Sequence, residues 1–422
     1  MKRTLTLLSM LAVVAAISLQ AQTVTVSTGA SYSNQAYYNI QTDDVTTLAN
    51  TAWDLAFSTD PADAGIFVNE AVKSVLSGPY PELRLYLAPT FEFEDPINPA
   101  SLTDSLYNPE INWQNGAFNS MKDDLDPSDF GWGFTGSGDT TVIGYRIFAL
   151  QLRDDTWKKI KIESLVNGVF YMRYADLDGA NEQIVTVDKA DFAGSPFAYY
   201  SFSTGATVPG PSGWDLLFTR YHTPLSGGGN PIQYLVTGVL SGPGTEVAEA
   251  QGVNPATVNY EDYLDSLQAA PLDIIGQDWK YFDLQNFVWV LDDERAFFVK
   301  LANNQLWKIV FNGFGGSTNG NFIFEKTYLG EVSGVEETQS GLTALSVFPN
   351  PASEEITVAF SLKEEQNNLA AALINPMGQI VRTFAVSGHA GLNVLDANVS
   401  SLPGGSYFLR LGGETVRVFV VR

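Results

Sequence analysis

The chain of 422 residues has no cysteine and only two histidines, His222 and His389. The missing thiol excludes a disulfide scaffold, a thiol nucleophile and a zinc finger. It also excludes a lipoprotein anchor, because no cysteine is present to be acylated. Any mechanism that needs an imidazole is confined to the two histidines.

Positive charge is scarce as well. Lys and Arg number 23 against 47 Asp and Glu, so the formal net charge is -24. Such a surface repels phosphate, which argues against nucleic acid as a partner. Charged residues make up only 17%, apolar residues 45% and aromatic residues 12%, with 37 Gly and 20 Pro. This composition is typical of a turn-rich globular β protein and excludes a disordered chain, a coiled coil or collagen.

A long apolar run occurs only at the amino terminus. Lys2 and Arg3 precede a run from Leu5 to Leu19, and small and polar residues follow at Ala21 and Gln22. This order predicts a secretory signal peptide over residues 1–21, cleaved after Ala21. The run is shorter than the roughly 20 apolar residues of a transmembrane helix. We therefore expect no membrane span in the mature protein.

An internal duplication organises most of the remaining chain. The segment AYYNIQTDDVTTLANTAWDLAFS at 36–58 returns as AYYSFSTGATVPGPSGWDLLFT at 198–219. Further pairs follow in the same order: VLSGP at 75 and 239, INPAS at 97 with VNPAT at 253, and FALQLRDDTWKKIKI at 148 with FVKLANNQLWKIVF at 298. Such collinear similarity predicts two tandem modules, residues 22–181 and 182–332.

Within the modules, apolar residues alternate with polar ones. In WKKIKIESL, Ile160 and Ile162 alternate with Lys159 and Lys161, so we expect strands with one face in the core and the charged face in water. PELRLYLAP shows the same period, with Leu83, Leu85 and Leu87 on the apolar side. In NYEDYLDSLQ, apolar residues instead recur at helical spacing behind Asn259, which predicts a short capped amphipathic helix.

The carboxyl-terminal part differs in composition. Residues 333–340 are polar and small and predict a linker, and residues 341–422 contain none of the eight tryptophans. Residues 341–422 also hold six acids and five bases, and residues 1–21 hold two bases, so a charge of -25 lies on residues 22–340. Alternation in EEITVAFSL and ETVRVFVVR predicts an immunoglobulin-like β-sandwich. The predicted fold class is all-β, with two tandem β-rich modules followed by this small sandwich.

Residues Leu345 to Arg422 contain LSVFPNPASEEITVAF, INPMGQIV, LPGGSYFLRL and VRVFVVR in that order. In these motifs the region resembles the C-terminal sorting domain of the type IX secretion system. The ending Val421-Arg422 departs from the family's usual lysine-containing terminus. The resemblance implies Sec export, then passage across the outer membrane to the cell surface or medium, with the type IX secretion machinery as partner.

Each tandem module resembles the HmuY-like family. The resemblance lies in the AYY opening, the WDL-aromatic strands at 53–57 and 214–218, the FTRY run at 218–221 and the late hydrophobic-to-WK strand. Because founding members are secreted or surface haem-binding proteins, it implies haem or another flat apolar ligand. These motifs contain no axial ligand. A simpler interpretation of WDL is a core ring followed by a carboxylate that satisfies a nearby turn.

His222 is the best single candidate for a haem ligand, because imidazole is the usual axial donor. Its counterpart in the first module is Pro61, so the site is not duplicated. Met172 and Met121 could supply a thioether, although a methionine among aromatic residues usually fills a core.

The acidic loops ADLDGAN and KDDLDPSD raise calcium as a metal, but neither has the closing bidentate Glu, and solvated turns are the simpler interpretation.

Motifs of catalysis are missing: the sequence has no nucleophile elbow, GxxxxGK or HExxH string. We therefore expect a protein that is not an enzyme. Two hypotheses remain for the modules: binding of haem or another apolar ligand, or a structural or adhesive surface role without a small-molecule ligand.

Overall fold

The computed structural model describes residues 21–72, 82–123, 125–126, 128–136, 141–226, 230–332, 342–363, 365–375, 380–400, 402–411 and 414–421. The signal peptide, apart from Ala21, and the linker at 333–340 lie outside these residues. Contacts divide the chain into two compact units that meet between Glu331 and Val332. Strands dominate both units, so the predicted all-β class is confirmed.

In the described part of the first unit the strands are β1 (Gln22–Ser27), β2 (Asn34–Tyr38), β3 (Val45–Ala49), β4 (Leu55–Ser58), β5 (Ile66–Val68), β6 (Arg84–Leu87), β7 (Ser105–Leu106), β8 (Gly133–Thr135), β9 (Val142–Gly144), β10 (Phe148–Gln151), β11 (Trp157–Val166), β12 (Val169–Ala175), β13 (Gln183–Asp188), β14 (Phe197–Ser201), β15 (Ala206–Pro209), β16 (Leu216–Leu225), β17 (Ile232–Ser241), β18 (Glu246–Gln251), β19 (Lys280–Asp283), β20 (Val288–Leu291), β21 (Arg295–Lys300), β22 (Gln305–Phe314) and β23 (Asn321–Glu331).

Helices in the same part are short. One α-helical turn, α1, spans Gly316–Asn319, and the 3-10 helices are Ala30–Tyr32, Pro99–Ser101, Ala117–Asn119, Lys189–Phe192 and Tyr260–Ser266. The last of these is the predicted amphipathic helix. The Asn259 side chain caps it by accepting from the Glu261 N–H, as expected, but the helix is 3-10 rather than α. No described helix is long and apolar enough to cross a bilayer.

Apart from β19 and β20, which form a separate two-stranded sheet, these strands form two β-sandwiches. Sandwich 1 has an outer sheet in the order β13-β12-β11-β10-β6-β7, to which β8 and β9 attach, and an inner sheet in the order β15-β14-β4-β5. Sandwich 2 has an outer sheet β1-β23-β22-β21-β18 and an inner sheet β17-β16-β2-β3. The strand order of the two sandwiches is equivalent, as expected for a duplication.

The first three strands of each repeat belong to the sandwich of the other repeat. β2 pairs with β16, and β14 pairs with β4, while β1 closes the outer sheet of sandwich 2 against β23. The predicted division between residues 181 and 182 falls inside the β12–β13 hairpin. Because the short hairpin keeps β13 beside β12, the chain stays in sandwich 1 through β15 before it crosses.

Central strands of the two inner sheets, such as β2 and β14, are buried on both faces, because the inner sheets also pack against each other. Along β2, Tyr38 points into the core of sandwich 2 and Tyr37 points between the sheets. Along β14, Tyr200 points into the core of sandwich 1 and Tyr199 points between the sheets. Burial on both sides explains why AYY is an uninterrupted apolar run.

The outer sheet of sandwich 1 contradicts one expectation. Lys159 was predicted on a solvent face, but it is 0% exposed. Phe93 and Ile97 cover this face, the Lys159 ammonium lies 4.9 Å from the Phe93 ring centroid, and it donates to the Asp95 carbonyl at 3.0 Å. The lysine is buried by a connecting segment that crosses the sheet, and the alternation of apolar and polar residues in the sequence gives no sign of that segment.

The aspartates of the two WDL motifs make equivalent contacts. The Asp54 N–H donates to the Tyr200 carbonyl, and the Asp215 N–H donates to the Tyr38 carbonyl, both at 2.8 Å. The Asp54 carboxylate accepts the Phe202 N–H at 2.7 Å, and the Asp215 carboxylate accepts the Ile40 N–H at 2.8 Å. Each carboxylate thus satisfies the end of an AYY strand from the other repeat, in agreement with the simpler interpretation of WDL.

The second unit is a sandwich of seven described strands: β24 (Leu342–Phe348), β25 (Glu355–Leu362), β26 (Gln366–Ile374), β27 (Ile380–Gly388), β28 (Gly391–Asn398), β29 (Gly405–Leu411) and β30 (Glu414–Val420). Its sheets are β24-β25-β28 and β27-β26-β29-β30. The alternation predicted for β25 is confirmed, with Ile356, Val358, Phe360 and Leu362 buried. In the FPNPA motif, Asn350 donates to the Arg417 carbonyl and accepts the Phe419 N–H, both at 2.8 Å, which fixes β30.

Strand exchange predicts how fragments fold. Residues 50–212 contain all strands of sandwich 1, so we expect cooperative thermal unfolding by circular dichroism at low protein concentration. Residues 22–181 lack β13, β14 and β15, so one outer strand and half of the inner sheet of sandwich 1 are missing, and we expect no cooperative transition. A cooperative transition for 22–181 together with none for 50–212 would contradict the exchanged arrangement.

The aspartate contacts predict a loss of stability. Asp215→Ala leaves the Ile40 N–H unpaired, and we expect the free energy of unfolding in urea to fall by about 1–3 kcal/mol. Asp54→Ala should cost more, because it also removes the 2.8 Å ion pair with the largely buried Arg153. Asp293→Ala, at an exposed position, is the control and should change little. Equal effects of all three substitutions would show that the contacts do not matter.

Candidate functional site

A cavity of 70 Å³ lies between the two inner sheets; we call it the central cavity. Eight aromatic side chains line it: Tyr37, Trp53, Phe67, Trp113, Phe197, Tyr199, Trp214 and Tyr221. Equivalent residues of the two repeats meet here, since the Tyr37 and Tyr199 hydroxyls are 2.8 Å apart. Burial raises the pKa of both phenols, so the pair stays neutral.

The two tryptophans of the WDL motifs also face this cavity and are almost fully buried, each 6% exposed. Trp53 stacks on Tyr199 with ring centroids 4.3 Å apart, and Trp214 packs edge-on against Tyr37 at 5.3 Å. The equivalent rings therefore occupy equivalent positions, but their packing differs.

One pair of positions breaks the symmetry of the cavity. Gln35 accepts from the Trp53 indole at 2.9 Å and the Tyr37 hydroxyl at 3.3 Å, and it donates to the Thr219 hydroxyl at 3.2 Å. The equivalent residue in the second repeat is Phe197, which packs against Phe67 at 5.4 Å between centroids. The two copies therefore differ in polarity at this position, and we call the part of the cavity lined by Gln35, Glu70, Glu110 and Tyr221 its polar end.

Glu70 organises the polar end. Its two carboxylate oxygens accept the backbone N–H of Asn108 at 2.7 Å and of His222 at 2.9 Å. β16 pairs with β2 only as far as Phe218, so Glu70 supplies the acceptor that a neighbouring strand would otherwise provide. This glutamate joins sandwich 1 to sandwich 2.

At this end, a carboxylate oxygen of Glu110 and the hydroxyl of Tyr221 have no hydrogen-bond partner among the described residues; Tyr221 is 5% exposed. Burial, then the charges of Asp273 and Glu110, raise the pKa of Tyr221. Both groups line the central cavity, so a ligand there could satisfy them.

A wider acidic cavity of 570 Å³ adjoins this end. Leu272 lines the central cavity, whereas its neighbour Asp273 lines the acidic one together with Glu249 and Asp278. Burial, then the negative charge of Glu110, raise the pKa of Asp273 to about 6. The polar end is therefore a region of negative potential.

The structure places the predicted haem ligands apart. His222, on β16, is 7% exposed; its Nδ1 lies 3.5 Å from a Glu70 oxygen, and its ring centroid lies 4.5 Å from that of Tyr107. Met172, on β12, is 0% exposed in the core of sandwich 1, and Met121 is partly exposed on a loop. The structure therefore does not bring His222 and Met172 together, and haem binding through His222 stays a prediction.

In the two acidic loops, described carboxylates already form hydrogen bonds or ion pairs with other groups of the protein. In the first, Asp176 pairs with Lys158 at 2.5 Å and accepts from Asn181 at 2.6 Å. In the second, Asp129 accepts the Asp123 N–H at 3.0 Å and the Gly131 N–H at 2.7 Å, and Asp124 lies outside the described residues. The described part of the chain contains no group of three His, Asp or Glu side chains that could hold a metal ion.

Sequence reasoning did not find Gln35, Glu110, Tyr221 or Asp273 as site residues. One signal was present for Gln35: within the duplication it aligns with Phe197, so the two copies differ in polarity there. Glu110 and Asp273 carried no signal, because acidic residues are common throughout this chain.

Comparisons with known proteins concern mainly the second unit. Residues 346–420 match the family described as "Secretion system C-terminal sorting domain". No curated protein matches the chain. A solved structure, the crystal structure of dimeric latent PorU from Porphyromonas gingivalis, is 12% identical over 92% of this chain and 40% of that chain, with a TM-score of 0.15. The chain spans less than half of that structure's length.

The motifs at 345–422, the seven-stranded sandwich that they form and the family match agree with one another. The second unit is therefore a C-terminal sorting domain, and the chain is a protein that the type IX secretion machinery handles for secretion or attachment at the cell surface.

Proposed function

We propose that the first unit is a non-enzymatic module that binds a small, largely apolar ligand outside the cell. The observation that carries this proposal is the central cavity, which lies between two sandwiches and has aromatic walls with a few polar groups. Ligand sites are typically concave, mostly apolar and located at such interfaces, and a few polar groups orient the ligand.

The size of the cavity limits the ligand. At about 10–15 Å³ for each water-sized group, 70 Å³ accommodates about five to seven such groups. Haem is much larger, so the HmuY-like resemblance supports the class of exported ligand-binding modules better than it supports haem as the ligand. Export would begin with the signal peptide at residues 1–21 and end with the sorting domain.

If the central cavity binds a ligand, filling its free space with a larger side chain should lower the affinity for that ligand. Ala56, on β4, lines it, and Ala56→Leu should fill it. We expect 3,3-dimethyl-1-butanol and cyclohexanol to bind the full chain in isothermal titration calorimetry and to shift tryptophan fluorescence, since three lining residues are tryptophans. Ala56→Leu should weaken both effects at least tenfold.

The matched control is Ala62→Leu, the same change at an exposed position, which should bind as the wild type does. Absence of binding to the wild type, or equal binding to Ala56→Leu, would favour the structural or adhesive role. Hemin titration with His222→Ala tests haem separately: a Soret band that the substitution removes would establish haem as the ligand instead.

A second prediction concerns export through the sorting domain. Deleting residues 345–422 removes the sorting domain, so the first unit should accumulate in the periplasm of a host with a type IX system. Immunoblots of periplasm, cell surface and medium measure this, with the full chain as control. Unchanged amounts at the surface or in the medium would contradict the proposed route.

A further inference from the structure

Negatively charged groups are concentrated at the polar end of the central cavity, and the proposed function does not yet account for them. A carboxylate oxygen of Glu110 and the hydroxyl of Tyr221 line it without a hydrogen-bond partner among the described residues. A buried carboxylate oxygen without a donor is costly, at about 1–3 kcal/mol or more. A ligand that brings a positive charge to this end therefore gains more than a neutral ligand of the same shape.

The charges around this end are predominantly negative. Glu70 and Glu110 line the cavity, and Asp273 lies close enough to raise the pKa of Tyr221. Arg220 is the one cationic side chain among the described lining residues. Its guanidinium donates to the Val72 carbonyl at 2.9 Å and lies 5.7 Å from the Tyr32 ring centroid, so its charge is engaged by groups of the protein.

The walls favour a cation as well. Trp53, Trp113 and Trp214 line the cavity, and the indole face attracts a cation more strongly than other aromatic rings do. An anion would meet repulsion from the carboxylates and from the ring faces together. The volume of 70 Å³ suits a compact ammonium group rather than a long chain.

We infer that the ligand of the central cavity is a small alkylammonium cation, held between the tryptophan rings with its charge toward Glu110 and Tyr221. This inference rests on the proposed function, because it names the chemical class of the ligand for the same site. It goes beyond that function by assigning Glu110 as the residue that selects charge.

Three compounds of nearly equal shape test the inference: choline, the neutral 3,3-dimethyl-1-butanol and the anion 3,3-dimethylbutanoate. Isothermal titration calorimetry on the full chain should show choline binding at least tenfold more tightly than the neutral alcohol, and the anion binding least. Added NaCl should weaken choline binding and leave the alcohol unchanged, since salt screens only the charge interaction.

Glu110→Gln removes the charge and keeps the shape and the backbone carbonyl that accepts the Leu272 N–H at 2.6 Å. It should lower choline affinity about tenfold and leave the alcohol affinity unchanged. Glu92→Gln, at an exposed position, is the matched control, and circular dichroism checks that both variants fold.

The outcomes separate this inference from the proposed function. If the alcohol binds as tightly as choline, or if Glu110→Gln binds choline as the wild type does, the inference is wrong and the proposed function stands. If none of the three compounds binds, both are wrong.

Discussion

The first unit depends on two strand pairings between opposite repeats, β4 with β14 and β16 with β2. Beside each pairing, an aspartate carboxylate accepts a backbone N–H from the partner repeat. Asp54 accepts the Phe202 N–H just beyond β14, and Asp215 accepts the Ile40 N–H just beyond β2. Burial raises the pKa of both carboxyls, and the hydrogen bonds that they accept from these backbone N–H groups partly offset the rise. Because β4 is thereby bound to β14 and β16 to β2, neither repeat can complete its inner sheet alone.

Exchange of strands also creates the central cavity. Tyr37 and Tyr199 come from equivalent strands of the two repeats, and exchange places them on facing sheets where their hydroxyls meet. The cavity thus lies at the pseudosymmetric contact between the sandwiches. Its polarity arises where the repeats have diverged, at Gln35 and Phe197, and where Glu70 replaces a missing strand partner.

The two units differ in net charge and in the residues that define them. The second unit is nearly neutral, and Asn350 of its motif fixes the terminal strand β30. The first unit carries most of the negative charge, which disfavours anionic partners in whatever medium it reaches. The sorting domain and the proposed ligand site therefore consist of different residues, and substitutions at Glu110 or Ala56 should leave the sorting domain intact.

By itself the sequence determined the all-β class, the short capped helix at Asn259, the sorting domain and the existence of a duplication. These features depend on local spacing: alternation marks a strand, and an asparagine before an apolar period marks a helix start. The role of the WDL aspartates was also readable, because a carboxylate beside a core ring usually satisfies backbone nearby.

Only the tertiary structure decided which strands pair, and therefore where one sandwich ends. Alternation shows that β13 to β15 are strands but does not name their partners, since pairing depends on contacts far apart in sequence. For the same reason, the local sequence pattern did not predict that Lys159 is buried beneath Phe93 or that an oxygen of Glu110 has no partner among the described residues. Burial is a property of what packs above a residue, and in this chain the covering segment comes from another part of the sequence.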